Sequence, residues 1–137
     1  MNFSNSLIMM TTTTNEAVLA DGIIPLSTIQ RRRNRAVTSG ANSIVLNAPG
    51  YYKVNASITV TGSEAGIVSV VLQKNNTDVP GITASQTITT ADTEVRTLNL
   101  SGIVRVYCNE GISTLTLVNT GVAITTENVS LDVEYLG

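Results

Sequence analysis

The stretch Pro49-Gly50-Tyr51-Tyr52-Lys53-Val54-Asn55-Ala56-Ser57-Ile58-Thr59-Val60 opens on a turn and then alternates apolar and polar residues one for one. Side chains of an extended chain point to opposite faces in turn. Tyr52, Val54, Ala56, Ile58 and Val60 therefore share one face, and Tyr51, Lys53, Asn55, Ser57 and Thr59 the other. A helix would scatter the same residues around its circumference. One face requires a core and the other water, which is the specification of a half-buried strand.

The alternation recurs, with variations, through most of the chain, and no amphipathic helical period competes with it. Ile44-Val45-Leu46 leads into the opening strand through Asn47-Ala48-Pro49-Gly50, and Val129, Leu131, Val133 and Tyr135 close the chain with the same period. Turn formers separate the runs: Asp21-Gly22, Lys74-Asn75-Asn76-Thr77-Asp78, Ala91-Asp92-Thr93 and Asn109-Glu110-Gly111. Pro25 and Pro80 each break a run and demote it to an edge. About ten short strands spaced in this way predict an all-β fold, and within that class a two-sheet antiparallel jelly-roll sandwich of about 8–10 strands. An immunoglobulin-like sandwich is the alternative, without its usual Cys and Trp core residues. The 137 residues suit one domain. Residues 1–16, polar apart from Phe3 and the patch Leu7 to Met10, read as a short N-terminal arm, and 17–137 as the jelly roll.

Composition narrows the chemistry. Histidine is absent, so Ser-His-Asp and Cys-His machinery cannot be built, and the metal-ligand inventory shrinks to dispersed carboxylates and one thiol. Asp92 and Glu94 project to one side and could serve acid–base work on a glycoside, but a solvent-facing acidic edge explains them better. The expectation is a non-enzymatic protein without cofactor or metal. Cys108, in step with Val104 and Val106, reads as a buried small hydrophobe. Charged residues make up 13% of the chain, against a usual figure of about 25%, and the net charge is −2, which argues against a body that binds nucleic acid. The opening Met1-Asn2-Phe3-Ser4 lacks a basic leader and no long apolar run follows, so the expectation is a protein used without export or membrane insertion.

The order of features resembles the trimeric jelly roll of the complement globular head and tumour-necrosis-factor superfamily. Collagen-like exosporium glycoproteins carry similar C-terminal domains, and bacteriophage head-fibre and decoration proteins similar modules. The resemblance rests on Ala20-Asp21-Gly22-Ile23-Ile24-Pro25, on Ile44 to Val54 with its Gly-Tyr-Tyr corner, on Val68 to Asn76, and on Val129 to Leu136. It implies a homotrimer. No Gly-X-Y repeat precedes the domain, and the acidic calcium loops of some animal relatives have no counterpart.

Two segments are apolar on both faces, Ile67 to Leu72 and Ile103 to Val106, which makes Ile67, Val71 and Ile103 candidates for a trimer interface. Arg31, Arg32, Arg33 and Arg35 hold half of the eight basic residues and read as a loop able to meet an acidic partner, or simply as a solvated one. No aromatic residues interleave them, so specific nucleic-acid binding is not expected. Phe3, Leu7, Ile8, Met9 and Met10 could form an apolar plug that docks the arm on another protein, or a frayed terminus. Tyr51, Tyr52, Tyr107 and Tyr135 could stack on sugars, though core or interface roles are commoner for tyrosines on strands. The expected function is a trimeric decoration or head/tail fibre protein of a phage virion, contacting a capsid or other virion protein. The alternatives are a module for host receptors or surface glycans, and a spore-surface protein.

Overall fold

Eleven strands in two antiparallel sheets make up the computed structural model, which describes residues 5–137. They are β1 (Leu7–Thr12), β2 (Glu16–Val18), β3 (Thr28–Arg33), β4 (Val37–Gly40), β5 (Ser43–Leu46), β6 (Gly50–Gly62), β7 (Gly66–Lys74), β8 (Thr77–Ile88), β9 (Val95–Val106), β10 (Ser113–Asn119) and β11 (Ile124–Tyr135). One sheet runs β3-β1-β11-β6-β9, with β2 added on β11, and the other runs β4-β5-β10-β7-β8. Neighbours in space are mostly distant in sequence, as in a jelly roll, and the fold class is the one the alternation predicted.

The core lies between the sheets. Tyr52, Val54, Ile58 and Val60 of β6 meet Val68, Val70 and Leu72 of β7, with Leu115 and Leu117 of β10 and Val129, Leu131 and Val133 of β11, all essentially without solvent contact. The Gly50-Tyr51-Tyr52 corner is built for close approach. Tyr52 donates its hydroxyl to the Ala48 carbonyl and accepts from the Ala48 N–H at 3.2 Å, while Tyr135 donates to the Pro49 carbonyl at 2.7 Å. The two rings pack 5.0 Å apart. Gly50 sits at φ 135°, and a Cβ there would lie 2.8 Å from the Tyr135 oxygen, so only glycine closes the corner.

Three sequence expectations need correction. The segment taken for an arm is β1, hydrogen-bonded between β3 and β11, with Ile8 and Met10 buried in the core. Their burial removes Ile8 and Met10 from any plug offered to a partner; Phe3 lies outside the described residues. The arginine run is not a loop: Arg31, Arg32 and Arg33 belong to edge strand β3, all of whose residues are exposed, and only Arg35 lies beyond it in a bend. Charge on an unpaired edge resists the addition of a further strand. Cys108 is exposed, because β9 ends at Val106 and the alternation runs on into a turn.

Candidate assembly face and aromatic edge

The outward face of the first sheet gathers candidates that the sequence scatters. Strand register sets Arg33, Leu7, Glu134, Lys53 and Ile103 side by side in one row across five strands. The next row is Arg31, Met9, Asp132, Asn55 and Ser101. Leu7 and Met9 are half-buried there, so two residues of the supposed plug lie against two of the arginines, while Ile8 and Met10 point inward. Short side chains at Asn55, Ser57, Asn99, Ser101 and Ser130 leave a shallow polar trough of about 310 Å³ beside Asp132. Burial pushes the Asp132 carboxyl up, against a hydrogen bond from Asn55 that acts the other way.

The three residues expected at an interface separate. Ile103, 53% exposed, lies on this face at the free edge of β9, with Val95, 50% exposed, at the other end of the same strand. Ile67, 57% exposed, belongs to the second sheet. Val71, only 6% exposed, is covered within the chain between Val118 and Thr83 on the outer surface of that sheet and has nothing left to bury. The sequence erred on Val71 because a residue on the second face of a central strand is shielded by its lateral neighbours.

At the end of β9 the free edges of the two sheets meet. Arg105 pairs with Tyr51 across β6–β9, and its guanidinium carbon lies 5.2 Å from the Tyr51 ring centroid and 4.3 Å from that of Tyr107. Lys74 arrives from β7, donates to the Arg105 carbonyl at 2.9 Å and pairs with Glu110 at 2.8 Å. Glu110 also accepts from the Tyr107 N–H at 2.7 Å, and the bonds from Lys74 and Tyr107 hold its carboxyl below the usual carboxylate range. The structure thus divides the four tyrosines: Tyr52 and Tyr135 build the corner, while Tyr51 and Tyr107 present exposed rings around an arginine. Sequence reasoning passed over Arg105, although its two-residue spacing from Tyr107 was a usable signal.

Acid–base chemistry finds no support at Asp92 and Glu94. Glu94 accepts from the hydroxyl and the 3.1 Å N–H of Thr89 and pairs with Arg96 at 2.8 Å; these bonds, those from Thr89 foremost, lower its pKa. It fastens the β8–β9 turn, where a catalytic acid would have to hold its proton. Among the described residues no group of three or more His, Cys, Asp or Glu is placed to hold a metal ion, and no helix is long and apolar enough to cross a membrane.

No protein-family model and no curated protein sequence matches this chain. Solved structures do. The chain is similar to Eiger TNF from S. frugiperda, at 15% identity and a TM-score of 0.72 over 100% of this chain and 94% of that one. The globular domain of zebrafish complement 1qA aligns with a TM-score of 0.68 at 7% identity, covering 96% of this chain and 98% of its own. Vertex protein P5 of PRD1 aligns with a TM-score of 0.62 at 14% identity, over 99% of this chain and 100% of its own. At such identities the likeness is one of fold, and the chain carries the jelly roll that tumour-necrosis-factor-like and complement globular heads share with PRD1 vertex protein P5.

Proposed function

We propose that this chain is a non-enzymatic structural protein of a phage virion, a homotrimeric decoration or head/tail fibre protein. The observation that carries the virion reading is the likeness to PRD1 vertex protein P5, which runs the full length of both chains. A trimer is further supported by the similar tumour-necrosis-factor-like and complement heads and by the exposed Val95 and Ile103 on the free edge of β9. Covering such residues between protomers removes apolar surface from water at about 25 cal/mol per Å². The edge of one protomer and the broad outward face of the next are different surfaces, and a contact between unlike surfaces closes into a threefold ring when each protomer is rotated by a third of a turn from the last.

With Ile8 and Met10 committed to the core, the basic edge β3 becomes the docking element for an acidic partner on the particle. Arg32 and Arg35 make no side-chain hydrogen bond or ion pair among the described residues and remain free for carboxylates. Two measurements test the reading. Light scattering should return three times the 14.4 kDa of one chain, and a strict monomer would refute the trimer. Electron microscopy of intact particles should show a threefold density on the capsid or at a fibre, and particles lacking it would refute the virion role.

A further inference from the structure

The geometry points to a binding site for a carboxylated saccharide at Tyr51, Arg105 and Tyr107, where the free edges of β8 and β9 meet. Arg105 differs from the arginines of β3. Its guanidinium is lodged against two tyrosine rings, at 4.3 and 5.2 Å from their centroids, and has neither a carboxylate nor a hydrogen-bond acceptor among the described residues. Stacking on aromatic rings fixes the guanidinium at little further entropic cost and leaves its in-plane N–H fork able to take a carboxylate in two parallel bonds. The neighbouring cation is spent: Lys74 is consumed by Glu110 and the Arg105 carbonyl. Those same contacts brace the turn that carries Tyr107, so the site is formed before any ligand arrives.

Beside the clamp lies a hollow of about 210 Å³, walled by Val79, Pro80 and Ile103 and edged by Thr77, Asp78 and Lys74. An apolar wall with a few polar groups at its rim suits a sugar ring, which has a C–H face and a hydroxyl edge. The exposed rings of Tyr51 (43%) and Tyr107 (51%) add stacking surface. An acidic peptide would use the same arginine, but an extended peptide gains most of its affinity by continuing a strand ladder. β8 runs through Pro80 and Gly81, but its register with β7 is broken between Asp78 and Thr83, and a proline on an edge lacks the N–H that such a ladder needs. Tyr51 and Arg105 form the penultimate pair of the β6–β9 register. They sit at the rim of the outward face beside Ile103, so the site requires a protomer contact that leaves the Arg105 end of β9 uncovered.

The test uses the full chain in its native assembly and is independent of any virion. Amide and Tyr side-chain resonances are followed during titration with the methyl glycosides of N-acetylneuraminic acid and glucuronic acid, with neutral methyl glucoside, sodium acetate and a hexaglutamate peptide as comparators. Saturable shifts at Tyr51, Arg105 and Tyr107 with at least one acidic glycoside, about tenfold tighter than with the neutral sugar and with acetate, are the expected result. Arg105→Gln should abolish the preference for acidic sugars, and Tyr107→Ala should weaken binding several-fold with the fold intact by circular dichroism. Equal binding of neutral and acidic sugars, equal binding of acetate, tighter binding of the peptide, an unchanged Arg105→Gln variant, or no shifts at all would each overturn the proposal. A particle that lacks the protein altogether would leave this site standing while removing the virion role.

Discussion

The two edges of the first sheet carry opposite instructions. Along β3 every residue is exposed and Arg31, Arg32 and Arg33 follow one another, so the edge stays wet and repels another strand. Along β9 the outward residues are Val95, Thr97, Asn99, Ser101, Ile103 and Arg105, uncharged until the last, and that one is stacked between tyrosines. Val95 and Ile103 stand half in water on this less protected edge. On the proposed reading, the contrast separates a margin for reversible, charge-led contact from one suited to permanent cover.

The largest effect should come from the strand that supports the basic edge. Ile8→Ala removes a fully buried side chain from β1, the only strand among the described residues that pairs with β3, and should cost about 2–5 kcal/mol by urea unfolding. A free arm would show almost no change. Next in size, Val95→Glu combined with Ile103→Glu should dissociate the assembly to monomers by light scattering while each chain retains its β circular dichroism. If the double variant stays trimeric, the β9 edge is not where the protomers meet.

Between the two edges Tyr52 gives a pH signature. Burial pushes its phenol up to about 12, opposed by its bond to Ala48, whereas a free phenol titrates near 10. A folded-state pKa above the unfolded value means that this contribution is complete below about pH 10 and is lost as pH rises toward 12. Tyr52→Phe should flatten the fall in Tm over that window relative to the parent protein. At neutral pH it should cost about 1–3 kcal/mol, because the Ala48 N–H and C=O lose their buried partner.

The contrast between the edges was half legible in the sequence. Strands with a clean period and a core on one side only, such as β6 and β11, could be read directly, because most inward residues are apolar and most outward ones polar. β1 could not: Leu-Ile-Met-Met-Thr-Thr has no polar alternation, since both of its neighbours in the sheet shield it and its outward Leu7 and Met9 are half covered. β3 hid behind its charge, which marks a loop and a protected edge equally well. Placing Arg33, Leu7, Glu134, Lys53 and Ile103 in one row requires the register of four strand pairs. Turn chemistry and hydrophobic pattern do not fix pairing between strands so far apart in sequence.

Smaller effects sharpen the difference in charge. Arg32→Gln with Arg35→Gln should change stability by no more than about 0.5 kcal/mol, since both side chains are exposed. Attachment to the particle should nonetheless weaken and lose its dependence on salt concentration, as expected for contacts led by surface charge. An attachment unchanged in strength and salt response would move the docking element away from β3.

The finest test lies at the opposite edge. Glu110 receives Lys74 and the Tyr107 N–H, and both bonds lower its pKa. A folded-state pKa below the unfolded one contributes order that is present above the ordinary carboxylate range and lost as the pH falls through the folded value. Glu110→Gln should therefore leave the Tm nearly unchanged at neutral pH, yet free Lys74 and loosen the turn under Tyr107. The Arg105 clamp would then lose one ring, and acidic-saccharide affinity should fall while the assembly stays intact. If affinity instead rises, freed Lys74 is acting as a second cation for the carboxylate, and the bracing of Tyr107 contributes less to the site than the charge that Glu110 neutralises.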